Sequence, residues 1–528
     1  MATFRCERGG GADGLASLDT TGALLPARLP ASMKRVLIAN RGEIALRIVR
    51  ACHEEGLEAI AVYSAADRAA PHVRAADRAV AIGPPPAAES YLSIDRLLEA
   101  AAATGADAVH PGYGFLAERA VFAEAVERAG LIWIGPPPTA IRAMGDKTEA
   151  RRRMQAAGVP IVPGATAPLA DASGALAVAR EIGFPVMVKA VAGGGGRGMR
   201  VVRAESELPG ALTSAASEAQ KAFGDPAVYL EKLVVAPRHV EIQVLADAER
   251  TVHLGERECS IQRRHQKLLE EAPSVAVTPA LRDAMGGAAV AAARAVAYRS
   301  AGTCEFLLAP DGAFYFLEMN TRIQVEHPVT ELVYGVDLVR EQLRIARGLP
   351  MRVPSGRLDP TGWAIECRIT SEDPANGFLP STGRIEYVRA PAGPGVRWDA
   401  GVETGDEVTL YYDSLLAKLI VWAPDRDQAI TRMARALDEL MLVGVSTNQG
   451  FHRRLLADSA FRAGEMDIEF LDRRADLLGP GADKAIELDL AIAAALAEHE
   501  AREAHRPLVS EATASGAWAR QAKLDALR

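Results

Sequence analysis

The sequence predicts a multidomain chain of mixed class, α/β in its first stretch and α+β beyond it. Three observations point there. Between Lys34 and Ile134 short β-branched runs alternate with amphipathic helical segments, the pattern of a parallel, doubly wound sheet. Near 185–202 two strand-like runs flank a cluster of glycines, and from about 234 onward hairpin patterns replace the alternation. The 528 residues accommodate about three or four domains at roughly 150 residues each. With 49% hydrophobic and 24% charged residues the composition is globular, which excludes a disordered or collagen-like bulk.

In chain order, residues 1–32 combine Gly9-Gly10-Gly11 with Arg5, Arg8, Arg28, Glu7, Asp13 and Asp19 and contain no apolar core of a signal peptide. They are expected to be a disordered leader or an overlong start. Val36-Leu37-Ile38-Ala39 then reads as a buried strand, Asn40-Arg41-Gly42 as a turn, and Ile44, Ala45, Ile48 and Val49 as one helical face. Strands at Ala59–Tyr63, Ala79–Ile82, Ala108–Val109 and Leu131–Ile134, with a helix from Leu97 to Ala103, continue the alternation until Pro136-Pro137-Pro138 closes it. An N-terminal domain is therefore expected over 33–146. Pro185–Ala190, a glycine run and Met199–Val202 read as strand, flexible loop, strand, which describes a lid over about 161–233 inside a second domain of 147–350. A third domain is expected over 351–478. In 479–528, Ile486, Leu488, Leu490, Ala491, Ile492 and Leu496 suggest an amphipathic helical tail.

Charge and cysteine usage exclude several functions. Sixty Lys and Arg against 68 Asp and Glu give a net charge of -8 with no basic block, which argues against nucleic acid or an anionic membrane as partner. No apolar run approaches the roughly 18 residues of a membrane span. Cys6, Cys52, Cys259, Cys304 and Cys367 are scattered and never form C-x-x-C, so neither a disulfide framework nor a zinc ribbon is encoded, and a reducing cytoplasm is the expected location.

The glycine run Gly193-Gly194-Gly195-Gly196-Arg197-Gly198 formally satisfies G-x-G-x-x-G, but Met199-Arg200-Val201-Val202 after it is strand-like where a dinucleotide site needs a helix. What remains is a mobile hairpin whose backbone N–H groups can close over a polyphosphate, with Lys189 and Lys147 as point charges.

Cys304–Ala309 and Ala313–Glu318 read as two strands around Pro310-Asp311-Gly312. With Asp311 and Gly312 as a two-residue turn, Glu305 faces Glu318. Like charges opposite one another among Phe306, Leu307, Phe316 and Leu317 are destabilising, and a divalent cation would relieve the conflict. Asn320 shares the face, giving an oxygen set of Glu305, Glu318 and Asn320 suited to Mg²⁺ or Mn²⁺. If the extended conformation continues, Arg322, Gln324 and Glu326 follow on that face, adding an anion clamp and a carboxylate base, while Met319, Thr321, Ile323 and Val325 point away. The segment Glu256–Lys267 is dense in cations.

These motifs, with Ile38–Ala45, His110–Leu116, Met144–Lys147 and Gln262–Lys267, resemble biotin carboxylase, the ATP-grasp component of biotin-dependent carboxylases, continuously over about 33–478. The resemblance implies a Rossmann-like (pre-ATP-grasp) N-domain, an ATP-grasp lid and central domain, and a biotin carboxylase C-terminal domain. It also implies nucleotide contacts from Lys147, Lys189, Gly194, Gly195, Gly196, Glu231, Lys232 and His239, with Gln262 and His265 near phosphates or ribose, and two metal ions on Glu305, Glu318 and Asn320. Lys267, Arg322, Gln324 and the Val325 backbone would hold bicarbonate, Glu326 would deprotonate it, and Arg368 would stabilise the biotin enolate.

No Met-Lys-Met segment is present, so biotin is expected on a separate carboxyl carrier protein, with a carboxyltransferase partner and a homodimeric assembly implied by the resemblance. A carboxylate–amine ligase of the same fold would share the lid and metal glutamates but not the Arg322-x-Gln324-x-Glu326 track, Arg368 or the His110–Leu116 motif. A non-catalytic nucleotide-sensing subunit would have lost catalytic positions that this sequence keeps.

Overall fold

The computed structural model describes residues 33–165, 169, 172–191, 198–479, 492–500 and 517–527. The predicted leader 1–32, the glycines Gly194, Gly195 and Gly196, and the tail positions Ile486, Leu488, Leu490 and Ala491 lie outside the described residues. Tail residues 492–500 and Ala517–Asp525 are helical.

Five strands, β1 (Arg35–Ile38), β2 (Glu58–Ser64), β3 (Arg78–Gly83), β4 (Ala108–His110) and β5 (Ile132–Trp133), form a parallel sheet in the order β3-β2-β1-β4-β5. Every predicted strand is present because each apolar run is short, and the central strands β1, β2 and β4 are buried on both faces as a parallel sheet requires, while β3 forms a largely exposed edge. After β1 the chain turns into the helix Gly42–Glu54, which buries Ile44, Ala45, Ile48 and Val49. Asn40 Nδ2 donates to the Pro111 and Tyr113 carbonyls, each at 2.7 Å, joining the C-terminal ends of β1 and β4. That junction brings Glu43 and Tyr113 into hydrogen-bond contact at the edge facing the rest of the molecule.

A small antiparallel sheet, β6 (Val186–Ala190), β7 (Met199–Val202) and β8 (Val228–Lys232), has the order β7-β6-β8. Val186, Val188, Val202 and Leu230 pack with Ala175, Ala179 and Ala215 of two covering helices, Ala172–Ile182 and Leu208–Phe223.

The largest sheet has eight strands. It contains β9 (Arg238–Ala246), β10 (Thr251–Arg263), β11 (Gln266–Ala272), β12 (Ser300–Leu308), β13 (Phe314–Asn320), β14 (Trp363–Thr370) and the strands Leu415–Ala423 and Val396–Ala400. The order is β13-β12-β9-β10-β11-β14, then Leu415–Ala423, then Val396–Ala400, so one hydrogen-bonded surface runs through residues on both sides of position 350. Alternation along β9 and β12 sends Val240, Ile242, Val244, Cys304, Phe306 and Leu308 against Met285, Ala289, Ala292 and Ala293 of the helix Pro279–Ala295. The same alternation sends Glu241, Gln243, Thr303 and Glu305 to the other face, where all four are buried. The fold thus forces a polar layer into its interior.

The hairpin of β12 and β13 pairs Glu305 with Glu318, as predicted, but by another route. The loop has three residues, Pro310-Asp311-Gly312, closed by Ala309 N donating to Ala313 O at 2.8 Å, with Gly312 at φ 87. The register is therefore one residue off near the turn, where Phe306 faces Phe316, and an irregularity at Leu317 restores the pairing at Glu305. Also unlike the prediction, β13 ends at Asn320. His327-Pro328 opens the helix His327–Tyr334, because Pro fits the first helical turn, so residues 321–326 form an irregular connection instead of a continued strand.

Phe306 is fully buried and meets Phe314 and Phe316 edge-on, with centroids 5.6 and 6.2 Å away. Phe306→Ala is expected to destabilise the large sheet by about 3–5 kcal/mol, measured by denaturant unfolding; a loss under about 1 kcal/mol would contradict this packing.

Candidate active site

The site forms where the polar face of the large sheet meets the connection 321–326. Lys267, at the start of β11, donates from Nζ to Glu241 Oε2 at 2.6 Å, Glu326 Oε1 at 2.7 Å and Glu305 Oε1 at 2.9 Å. These three carboxylates come from β9, the connection and β12. Arg368 on β14 donates from Nη2 to Glu326 Oε2 at 2.9 Å and from Nε to Glu270 Oε1 at 2.6 Å. Glu326 itself is fully buried. Burial alone would raise its carboxyl, but Lys267, Arg368 and Arg257 together hold it well below the ordinary range. Glu305 is likewise opposed by burial and held well below by Lys267 and His239, whose Nε2 stands 3.1 Å from Glu305 Oε2.

The residues after β13 converge even though the strand has ended. Gln324 Nε2 and Asn320 Nδ2 donate to Glu305 Oε1 at 3.0 and 2.9 Å. Arg322 donates from Nη1 to Gln324 Oε1 at 2.9 Å and from Nη2 to Asn320 Oδ1 at 3.0 Å. Met319, Thr321 and Ile323 are buried. The Val325 carbonyl accepts from the fully buried Lys418 Nζ at 2.8 Å, and Lys418 also pairs with Glu43 at 3.2 Å. The first helix of the N-terminal region, Gly42–Glu54, is thereby tied to the connection that carries Gln324, Val325 and Glu326.

Glu318 lies at the open side, exposed to solvent, with no hydrogen-bond or ionic partner among the described residues. The surrounding walls, and then the negative Glu305, raise its carboxyl, while Lys147 lowers it. An unpartnered carboxylate facing Glu305, with the Asn320 oxygen close by, is a hard-oxygen donor set that fits Mg²⁺ or Mn²⁺. Zinc would instead favour His and Cys.

The other implied residues are spread around this centre. Lys147 begins the helix Lys147–Ala156, whose first turn is capped by Asp146. Glu231 on β8 is buried between Lys189 and Arg151 and is ion-paired to both. Lys232 Nζ is bonded to the carbonyls of Gly183 and Phe184 at 2.9 and 3.0 Å. Gln262 pairs across the ladder with Lys267, and His265 sits exposed in the two-residue turn between β10 and β11. Arg264 and His265 both have left-handed backbones there, φ 49 and 66, a conformation that costs about 1–2 kcal/mol per non-glycine residue.

Sequence reasoning missed several members. Glu118 accepts from Arg322 Nε and Thr321 N, each at 3.0 Å, from about 200 positions away in the chain, and nothing local marks it. Arg257 is fully buried and donates to Glu241, Gln243, Thr330 and Thr303 at 2.5–3.0 Å. It lies in the cation-dense segment Glu256–Lys267, and that density was the available signal. Glu241, Glu366 and Lys418 lie inside strands between apolar neighbours, and Glu270 lies beside Glu271 in a strand with no pattern that marks it.

The comparisons with known proteins agree with this geometry. Models for the biotin carboxylase N-terminal domain, the carbamoyl-phosphate synthase L chain ATP-binding domain and the biotin carboxylase C-terminal domain match residues 32–141, 146–353 and 366–473. A biotin carboxylase from Nostoc sp. is 54% identical over 438 residues, 83% of this chain and 98% of the relative. The chain belongs to the biotin carboxylase family. A pyruvate carboxylase subunit from Methanothermobacter thermautotrophicus is 52% identical over 83% of this chain and 89% of its own length. The biotin carboxylase domain dimer of Hydrogenobacter thermophilus 2-oxoglutarate carboxylase, solved with MgADP, ADP and bicarbonate, superposes with TM-score 0.80 at 47% identity, covering 85% of this chain and 99% of that one. The fold is thus the family's ATP-grasp architecture. Among the described residues no helix is long and apolar enough to cross a membrane.

Because the Glu305 and Glu326 carboxyls are held below their free value of 4.5, the stability they contribute is fully present above that pH and lost as pH falls toward the folded values. Lys267→Met removes the shared cation. Its melting-temperature deficit relative to the parent chain is expected to shrink as pH falls from about 5 to about 3; a deficit independent of pH over that range would contradict the shared-cation geometry.

Proposed function

We propose that this chain carboxylates biotin on a separate carrier protein, using ATP and bicarbonate, with carboxyphosphate as intermediate. The meeting of Lys267 and Arg368 on the single buried carboxylate Glu326 carries this reading. The functional units are an N-terminal domain over 33–146, an ATP-grasp domain over 147–350 with its lid over 161–233, and a C-terminal domain over 351–478. Two chains form a homodimer that works with a biotin carboxyl carrier protein and a carboxyltransferase in the cytoplasm.

Bicarbonate is a weak nucleophile, and an ion-paired Glu326 is a weak base. An anion bound between Lys267, Arg322, Gln324 and the Val325 backbone takes a share of the Lys267 charge. Glu326 then loses part of the attraction that holds its carboxyl low and becomes basic enough to accept the bicarbonate proton. The deprotonated oxygen attacks the terminal phosphorus of ATP, giving carboxyphosphate and ADP. Mg²⁺ or Mn²⁺ held by Glu305, Glu318 and Asn320 supplies charge neutralisation on the phosphoryl oxygens. Lys147, Lys189, Glu231, Lys232, His239, Gln262 and His265, with Gly194–Gly196 of the lid, bind the nucleotide and exclude water that would hydrolyse the intermediate.

Carboxyphosphate breaks into CO₂ and phosphate, the phosphate removes the ureido proton of biotin, and the enolate attacks CO₂. Protonating Glu326 removes one of the two carboxylate charges on Arg368 Nη2, so that N–H turns to the enolate while Glu270 still holds the guanidinium through Nε and Nη2. The base step and the availability of Arg368 are thereby linked through one carboxylate. The relatives' names include pyruvate and 2-oxoglutarate carboxylases, consistent with a carboxyl acceptor chosen by the carboxyltransferase.

Glu326→Gln is expected to lower biotin carboxylation by at least about 100-fold, the scale of a general base, with ATP affinity within about threefold of the parent by equilibrium titration. A variant that carboxylates biotin at the parent rate would contradict the assignment.

A further inference from the structure

Beneath Arg368 lies a second pair of glutamates, of which the proposed reaction uses only one oxygen of Glu270, as the anchor of Arg368. Glu270 on β11 stands directly opposite Glu366 on β14, and both are fully buried. Side chains so placed have Cβ atoms about 4.5–5.5 Å apart. Of their four oxygens only Glu270 Oε1 is engaged, by Arg368. Glu270 Oε2 and both oxygens of Glu366 are buried with no hydrogen-bond partner.

We propose that Glu270 and Glu366 share one proton at neutral pH, and that this acid–carboxylate pair positions Arg368 for the biotin enolate, a role that rests on the function proposed for the site. Two ionised carboxylates in this place would leave orphaned acceptors and opposed charges in a low dielectric. With one proton, the Glu366 O–H donates to the unused Glu270 oxygen and the pair carries a single negative charge.

The charged surroundings favour that state. Arg368 neighbours the pair on β14, and Lys418 faces from the strand Leu415–Ala423 but already serves Val325 and Glu43. Glu326 adds negative charge from the connection, Lys267 positive charge from β11, and Tyr113 is a neutral neighbour. His327, at the start of the helix over this face, is kept neutral by burial. Burial, then Arg368 and Glu326 in opposite senses, place Glu270 at about 7, and burial carries Glu366 well above the carboxylate range.

The charge count supplies the function. Once Glu326 has taken the bicarbonate proton, the pair's single charge balances Arg368 one to one, so the guanidinium stays anchored on Glu270 through Nε and Nη2 while the Nη2 hydrogen that served Glu326 is released. Loss of the shared proton would add a second charge below Arg368 and draw it away from the enolate, which gives biotin carboxylation an alkaline limb.

The test uses the full chain. Infrared difference spectra between about pH 6 and about pH 9 are expected to show the carbonyl band of a buried carboxylic acid, absent in Glu366→Gln. Glu366→Leu and Glu270→Gln are expected to lower kcat for biotin carboxylation about tenfold or more, the scale of a hydrogen bond to a charged group. Biotin-independent, bicarbonate-dependent ATP cleavage should change far less. Glu366→Gln, which can still donate to Glu270, should recover most of the loss and shift the alkaline limb. Absence of the acid band in an active enzyme would overturn the shared proton. Equal losses for Glu366→Gln and Glu366→Leu would overturn the donor role. The band is read without turnover, so a chain that shows it yet fails to carboxylate biotin overturns the Arg368 role together with the proposed function, not the proton pair.

Discussion

One ammonium group holds the centre of this molecule together. Lys267 sits between Glu241, Glu305 and Glu326, three buried carboxylates delivered by β9, β12 and the connection 321–326. Without it, three negative charges would face each other in a low dielectric, and removing the partner of a buried ion typically costs about 3–5 kcal/mol. The sheet alternation makes the arrangement unavoidable: strands that send Val240, Ile242 and Phe306 into the apolar layer must send Glu241 and Glu305 to the opposite face.

This polar layer is a chain of charges sharing partners. Arg257 steadies Glu241, Glu118 steadies Arg322, and Lys418 joins Glu43 of the first domain to the Val325 carbonyl. In the proposed reaction an anion placed among these charges displaces an existing bond instead of filling an empty space, and the proposed base, Glu326, is kept weak at rest and activated when that anion takes part of the charge of Lys267. In the proposed reaction it also gives the order of events a cause, since Arg368 loses the second of its two carboxylate partners when Glu326 becomes neutral.

Much of this was legible in the sequence, for identifiable reasons. The parallel sheet was legible because period and composition agree from β1 to β5. Glu305 opposite Glu318 was legible because a proline–aspartate–glycine loop fixes a hairpin, although a three-residue loop and the irregularity at Leu317 offset one another. The strand track past Asn320 failed because His327-Pro328 starts a helix, yet Arg322, Gln324 and Glu326 still converge through side-chain hydrogen bonds. Glu118, Glu270, Glu366 and Lys418 could not be found by pattern. Their role comes from cross-strand or long-range contact, and a lone charge in an apolar strand looks the same whether it is buried or exposed.

The most direct measurement is a crystal structure of the chain with MgADP and bicarbonate. The anion is expected between Lys267 and Arg322, with the Lys267–Glu326 bond lengthened beyond its present 2.7 Å and Glu326 facing the anion. An anion bound elsewhere, with Lys267 still donating to all three carboxylates, would contradict the shared-cation mechanism.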